Sequence, residues 1–552
     1  MTEHAWALLL AVAAPWVALL LLAGRRTRGY LPRWGALAAV PALGVALWLP
    51  DGAFTLGHPL YAARFGIDPL GRAFLLLAAL VWAAAALFAR GWLPPGARPA
   101  RFMGFFVLCM GANFGLALAQ DLLTFYVFFA LMSFAAYGLI VHDGRRASRQ
   151  AGRMYVLMMV LGEACLFTAV ALVALRGPAL AFSGLDVAAA GPVALLLFVL
   201  GFGIKFGLFG AHRWLALAHP AAPVPASAVL SGTMIKAGLL GWLRVADAAP
   251  ALETVGWVLV AVGFAGAFYA ALVGALREDP KALLAYSSIS QMGLITALSG
   301  VALAVPEARA VALAAAALFA LHHALAKGAL FLSVGHAVAV AGGGRMLLGL
   351  GVLFLALALA GAPGTGGALV KVAATEVLDR APHPQLLGGA FSLASAATAL
   401  LMTRFLIVLR AYRAPNPARE ARALWWGWGV LVVAAAAVPW WWAPEAQWRA
   451  QAWRPAELWG AAWPVLLGAA GAPLAARMAR MARGGWRPLR AIAALARAAS
   501  RGLATRFASA ARRVLRVEPL LHEWRLVGKL LAAIGATLLV LLWWGANGYH
   551  GT

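Results

Sequence analysis

The chain has 552 residues, 64% of them hydrophobic and 12% charged, with a mean hydropathy of +0.84. A soluble globular protein carries about twice that share of charge, and a transmembrane β-barrel shows short alternating segments instead of long apolar runs, so neither class fits. The net charge of +26 would suit nucleic acid if the basic residues formed one patch, but they are dispersed among loops between apolar runs.

The opening stretch, MTEHAWALLLAVAAPWVALLLLAGRRTR, has its arginines after the apolar run rather than before it. It reads as a first membrane helix with its N-terminus outside, not as a cleaved signal. A bilayer core of roughly 30 Å takes about 20 apolar residues per helix. On that measure the chain is an all-α polytopic membrane protein of about sixteen spans: 5–23, 35–49, 69–90, 102–120, 121–141, 152–176, 191–217, 222–246, 252–276, 281–304, 308–339, 347–379, 385–412, 425–443, 458–481 and 526–546. Arginines gather in alternate loops: Arg25 to Arg33, Arg90 to Arg101, Arg145 to Arg153, Arg277 with Lys281, Arg345, and Arg410 to Arg422. The positive-inside rule makes those loops cytoplasmic, in a bacterial inner membrane, and an even span count returns the C-terminus outside. Cys109 and Cys165 lie in apolar spans and offer neither a disulfide framework nor a thiolate metal site.

Two spans are interrupted. The seventh runs into GAHRWLALAHPAAPVP, where Gly210, Pro220, Pro223 and Pro225 cannot all continue a helix. The twelfth contains GAPGTGG at 361–367. Irregular backbone at membrane depth is tolerated where it lines a protein cavity or water path. The breaks lie five spans apart, each close to a lysine, which predicts two inverted five-helix repeats of the kind transporters use. The chain then divides into N-terminal spans (1–100), a first repeat (101–246), a second repeat (247–412), peripheral spans (413–483) and a C-terminal region (484–552). In that last region, 486–517 places Leu489, Ile492, Leu495, Leu503, Phe507, Val514 and Val517 near one helical face and arginines on the rest. That pattern predicts a lateral amphipathic helix on the cytoplasmic surface before the final span.

Of 45 basic residues only six are lysine, and four of these, Lys205, Lys236, Lys327 and Lys371, fall inside apolar spans. Arginine stays charged, whereas a desolvated lysine can release its proton near neutrality. A site that loads and unloads protons can therefore use lysine. Intramembrane charge is costly unless paired, hydrated or neutralised. Candidate partners are Glu163 in the sixth span, Glu376 five residues beyond Lys371, and the histidines of LFALHHALAKGALFLSVGHAV. There His323 and Lys327 share a helix face, with His322 beside them and His336 further along; His212 sits at the seventh-span break. These ten residues form the candidate proton or cation relay. Lys281 reads as a helix-start charge, Lys529 as a residue snorkelling to the interface, and His219, like His212, as either a functional or a structural histidine.

The motifs resemble those of the proton-translocating antiporter-like subunits of complex I, the Mrp antiporters and related complexes. GIKFGLFGAHRWLALAHPAAPVPASAVLSGTMIKAG is similar to the family's seventh and eighth helices, so that Lys205 and Lys236 match their lysines. DPKALLAYSSISQMG resembles the start of the tenth helix, HHALAKGALFL the eleventh with its central lysine at Lys327, and GAPGTGGALVK the broken twelfth ending at Lys371. The usual fifth-helix tryptophan–glutamate is replaced by Phe129 and Ala130, leaving Glu163 to take over the pairing.

The resemblance implies a subunit that moves H+ or Na+ within a multi-subunit complex and is not catalytic alone. The lost fifth-helix glutamate leans the reading toward the energising membrane subunit of an inorganic-carbon uptake complex, with a zinc partner similar to carbonic anhydrase. The alternatives are a pump of a complex I-like or hydrogenase complex, with redox subunits as partners, and a non-conducting anchor. No cofactor motif stands in the chain, so zinc or redox centres are expected only in a partner.

Overall fold

The computed structural model describes residues 3–57, 62–93, 98–177, 180–250, 252–339, 344–412 and 421–483, with 536 and 540. The chain begins with α1 (Glu3–Leu20), α2 (Leu31–Trp34) and α3 (Val40–Trp48), then strands β1 (Gly52–Leu56) and β2 (Ala63–Ile67). The central bundle comprises α4 (Pro69–Trp92), α5 (Pro99–Leu118), α6 (Leu122–Ile140), α7 (Arg146–Ala174), α8 (Gly191–Phe206), α9 (Arg213–Ala221), α10 (Val224–Val229), α11 (Ile235–Ala248), α12 (Glu253–Ala275), α13 (Pro280–Ala304) and α14 (Arg309–Ala339). It continues through α15 (Gly344–Ala360), α16 (Gly366–Asp379), α17 (Pro384–Ala411), α18 (Ala421–Trp442), α19 (Ala446–Gln451) and α20 (Pro455–Arg483).

The protein is a nearly all-helical polytopic bundle. Among the described residues thirteen helical segments are long and apolar enough to cross a membrane, and α8 and α15 are shorter apolar helices. These account for the first fifteen predicted spans. The predicted span 526–546, the amphipathic segment 486–517 and Lys529 lie outside the described residues. Both predicted breaks are present. Gly207 and Gly210, with φ of 82° and 95°, end α8 and turn the chain toward α9; Gly361 and Gly364, at 80° and 73°, separate α15 from α16. Glycine adopts such left-handed backbone without steric penalty.

Two local features depart from the sequence reading. The second span is segmented, with a 3-10 stretch at Gly35–Ala39 between α2 and α3, because Pro32 and Pro41 each open a new helix. The loop before α4 forms an antiparallel hairpin, in which Phe54 pairs with Phe65 and their rings lie 6.1 Å apart. Such a cross-strand aromatic pair is a unit of ladder stability that a search for membrane helices overlooks.

The two ends of the bundle are distinct. At the hairpin end, Asp121 caps α6 at Thr124 N (2.7 Å) and also accepts from Arg64 N of β2 (2.8 Å). Asp68 caps α4 at Gly71 N (2.6 Å) and holds the Arg244 guanidinium of α11 through both oxygens, at 2.8 and 3.2 Å. Burial pushes the Asp68 carboxyl up, but Arg244, through its charge and its hydrogen bonds, with further help from Gly71 and Gln120, holds it below its ordinary value. At the opposite end, the Lys281 ammonium donates to Ala222 O, and Arg101 donates to His142 O.

A close backbone approach joins α12 and α13. Gly256 and Gly263 on one, and Gly293 and Gly300 on the other, are spaced by a heptad and face each other. A Cβ on Gly263 would stand 2.5 Å from the Gly293 carbonyl oxygen, and one on Gly293 2.5 Å from that of Gly263. Small residues permit this approach where lipid supplies no hydrophobic drive between helices. From Val224 of α10 to Ala246 of α11 the chain is wholly buried, and it forms the axis around which α4, α13 and α14 pack.

Two stability outcomes follow. Gly263→Ala, whose new methyl meets backbone, lowers the thermal midpoint of the detergent-solubilised protein by several degrees, while Gly349→Ala, where the methyl meets open space, does not. Because the folded Asp68 pKa is depressed, its contribution is complete above the unfolded carboxylate value and fades as pH falls through the lower folded one. The stability gap between wild type and Asp68→Asn, about 1–3 kcal/mol at neutral pH from hydrogen bonds to a charged group, therefore closes below roughly pH 4, as a pH series of thermal melts will register.

Candidate functional site

The buried lysines are held chiefly by oxygen dipoles, and they fall into three clusters. The first surrounds Lys205 in the last turn of α8. Its Nζ donates to Ser133 Oγ of α6 at 2.8 Å and Tyr155 OH of α7 at 3.3 Å, and it lies 3.5 Å from Met159 Sδ. It also stands 5.5 and 5.6 Å from the centres of the Phe129 and Tyr155 rings, within cation–π range. Tyr155, Met159 and Glu163 are four apart along α7 and so share one face. Glu163 is buried; the Ser133 hydroxyl is its polar neighbour, but neither carboxylate oxygen has a hydrogen-bond partner within 3.5 Å among the described residues. Its charge acts on Lys205 electrostatically, without a direct ion pair. On the α6 side the ammonium therefore meets a phenyl ring and a hydroxyl.

The second cluster is central. Between α10 and α11 the helix widens to a π-turn over Leu230–Met234. Such turns are rare and concentrate at functional sites. Lys236, just past it, donates back to Ser231 O at 2.6 Å. Ser231 Oγ pairs with Ser288 Oγ of α13 at 2.8 Å, Ser288 Oγ also lies 3.0 Å from Leu284 O, and Lys327 of α14 donates to that same carbonyl at 3.0 Å. Polar groups of Ser231, Ser288 and Leu284 thus line the space between Lys236 and Lys327 across three helices, with the link at Ser231 passing from its carbonyl to its hydroxyl without a hydrogen bond between the two. The His219 ring stacks on Phe331 with centroids 4.5 Å apart and feels the charges of Lys281, Lys327 and Lys236. His323, one turn before Lys327, feels Lys236, Lys327 and His322. Neither His219 nor His323 has a ring hydrogen bond among the described residues.

The third cluster adjoins the α15–α16 break. His322 Nε2 lies 3.1 Å from Ala358 O in the last turn of α15. A cavity of about 20 Å³ beside it is lined by Gln291, His322, Gly361, Lys371 and Thr398, room for about one water with several polar partners. Lys371 Nζ donates to Gly460 O of α20 at 2.7 Å, and the acidic residue acting on it is Glu457.

Lys236, Lys327 and His323 therefore come together, as do His322 and Lys371, and Lys205 and Glu163. Three candidates stand apart. Glu376 binds Trp448 Nε1 (2.6 Å), Gln447 and Arg380 at the hairpin end. It is not a partner of Lys371, because five residues along a helix turn a side chain to a different face. His212 stacks between Phe209 and Tyr269, 5.9 and 5.3 Å away. His336 sits against Trp425 and Trp428, 4.2 and 5.6 Å away. Ser133, Tyr155, Ser231, Ser288, Lys281, His219 and Glu457 complete the clusters and were not among the candidates. Lys281, a lysine opening an otherwise apolar helix, and His219, a histidine at the seventh-span break, carried usable signals; Lys281 is 8% exposed.

Residues 119–387 match the family model described as NADH:quinone oxidoreductase/Mrp antiporter, TM. Hydrogenase-4 component B of Escherichia coli K12 is 32% identical over 247 residues, covering 42% of this chain and 37% of that protein. The Na+/H+ antiporter subunit A1 of Staphylococcus aureus JH9 is 30% identical over 367 residues, covering 61% and 45% respectively. The chain spans about half the length of the curated relatives it matches. Among solved structures, the Mrp complex from Dietzia sp. DQ12-45-1b superposes with a TM-score of 0.73 at 24% identity, covering 97% of this chain and 63% of that one, a likeness of fold.

Since a buried carboxylate without hydrogen-bond partners costs stability, Glu163→Gln leaves the thermal midpoint unchanged or raises it. A fall of several degrees would instead place Glu163 in a structural ion pair.

Proposed function

We propose that this chain, which belongs over residues 119–387 to the antiporter-like membrane subunits, translocates H+ or Na+ along its buried lysines within a multi-subunit complex. The observation that carries the reading is the row of polar groups between Lys236 and Lys327, the paired Ser231 and Ser288 hydroxyls with the Ser231 and Leu284 carbonyls that hold the two ammonium groups in place. Polar groups at membrane depth are expensive, and they mark ion or proton pathways. Lysine gives three donors and one removable proton; paired hydroxyls both donate and accept, so they can pass a proton by reorienting. From Lys327 the route continues through His323 and His322, one turn and slightly more along α14, to the cavity that His322 shares with Lys371. At the other end of the chain's path, Lys205 exchanges its proton as the Glu163 charge beside it changes. The hairpin end faces outward and the opposite, arginine-rich end faces the cytoplasm in this reading.

The finer proposal is that the parent complex takes up inorganic carbon, its zinc held by a partner similar to carbonic anhydrase. The support is Ala130, at the position where the resemblance expects the pairing glutamate, which leaves Lys205 to meet Phe129 and Ser133 instead. The relatives favour a second reading, an antiporter or redox complex, since their names are those of antiporter, NADH–quinone oxidoreductase and hydrogenase subunits. Purification of the tagged chain in mild detergent separates the two: a zinc-bearing partner supports the first, iron–sulfur or flavin subunits the second.

In membrane vesicles holding the assembled complex, Lys205→Ala and Lys327→Ala abolish ion flux while the complex still assembles. Ser288→Ala, which removes the bridging hydroxyl, lowers flux about tenfold, the effect of one lost hydrogen bond. Full flux in both lysine variants would discard the relay.

A further inference from the structure

Two carboxylates stand on the hairpin side of Lys371, and they differ in what holds them. Glu376 is fully engaged: Oε1 accepts from Arg380 (2.7 Å) and Gln447 (3.3 Å), and Oε2 from Trp448 (2.6 Å) and Gln447 (3.2 Å). Glu457 lies in the first turn of α20 and is half-buried. Among the described residues no hydrogen bond or ion pair engages its carboxylate, Arg454 three residues earlier included. Lys371 Nζ donates to the Gly460 carbonyl at 2.7 Å. Gly460 follows Glu457 by three residues, and residues three apart share a helix face. Because α20 starts at the hairpin end, Glu457 stands about 4.5 Å nearer that surface than Gly460 does, at 1.5 Å per residue. Its charge accordingly acts on Lys371 from the hairpin side.

The Gly460 carbonyl accepts a hydrogen bond but does not take the proton itself, so a proton leaving Lys371 outward needs another base. Protonating Glu376 would weaken its bonds to three side chains, since an ionised acceptor makes the stronger hydrogen bonds. Glu457 has no such ties. We propose that Glu457 is the group through which protons leave Lys371 for the hairpin face, an inference that rests on the proposed relay and takes H+ as its ion. An N–H bond of the ammonium breaks and an O–H bond forms on the carboxylate, leaving a neutral amine beside a neutral acid. The acid then releases its proton to water at the hairpin face and is a carboxylate again, while Lys371 is reloaded from the His322 side of their shared cavity. Residue 457 lies beyond the family match, which ends at 387. A helix that the sequence assigns to the peripheral spans thus supplies a working group of the path.

The test uses the assembled complex in membrane vesicles, with proton flux read by a pH-sensitive dye and formate as a diffusible stand-in for the carboxylate. Glu457→Gln is expected to lower flux about a hundredfold, the scale of a positioned proton-transfer group, and to leave the thermal midpoint unchanged because no hydrogen bond is lost. Glu457→Ala is expected to lose as much and to regain about tenfold with formate, measured against wild type in the same buffer, a recovery that a structural role does not give. Glu457→Asp keeps most of the flux. Glu376→Gln lowers the thermal midpoint instead, and its flux does not respond to formate. Full flux in Glu457→Gln beside lost flux in Lys327→Ala would overturn the outlet and leave the relay standing; full flux in Lys327→Ala would overturn both. Na+ flux without H+ flux in the wild type, or lost flux in Glu457→Ala that formate does not restore, would also overturn the outlet. The Glu457→Gln comparison decides even if Glu457→Ala fails to assemble.

Discussion

An ammonium group inside an apolar bundle must find lone pairs, and nearly every irregularity in this structure supplies them. Lys236 reaches a carbonyl at the π-turn, Lys281 that of Ala222 just past α9, Lys371 a carbonyl of α20, and Lys327 a carbonyl already shared with a serine. Carboxylates are sparse: Glu163 and Glu457 act on Lys205 and Lys371 through their charges rather than as hydrogen-bonded partners. A carbonyl dipole satisfies an ammonium without neutralising it, so the charge stays available to move. A full ion pair would fix the charge in place, because breaking it leaves an uncompensated buried partner.

The rigid parts of the bundle are arranged around these yielding points. The α12–α13 pair approaches backbone to backbone through its glycines and leaves no space for either helix to rotate independently. The Asp68–Arg244 link ties α4 to the end of α11 nearest the hairpin. Between these fixed elements lie the π-turn and the two broken helices, where the backbone is interrupted and side chains carry the polar contacts. Stiff elements at the flanks and irregular ones at the polar path divide structural support from chemistry.

The distribution of lysine against arginine made the polar axis legible in the sequence, and glycine and proline located both helix breaks. The partners of the lysines were hidden for a physical reason. A buried ammonium bound to a carbonyl leaves no mark on residue identity, since every residue has a carbonyl. Ser231 and Ser288 look like ordinary small residues of packed membrane helices, and the hydroxyl contact between them depends on the register of helices 57 residues apart in the chain. Nearness in sequence suggested Glu376 as the partner of Lys371, whereas Glu457, 86 positions further along the chain, is the acidic residue that acts on it. The Phe54–Phe65 hairpin was masked by a reading tuned to helices.

The π-turn at Leu230–Met234 also acts as a phase shift in the chain. One residue corresponds to about 100° of rotation around a helix axis, so the extra residue in this turn sets the azimuth of everything after it relative to everything before. Ser231 faces Ser288 from within the turn, and Lys236 follows it. Deleting any one residue there would preserve composition, hydropathy and length to within a residue while turning the lysine away from its carbonyl. The identity of the axis is therefore encoded partly as a count, and a sequence comparison that permits one gap in this stretch will align the lysine and misplace its direction.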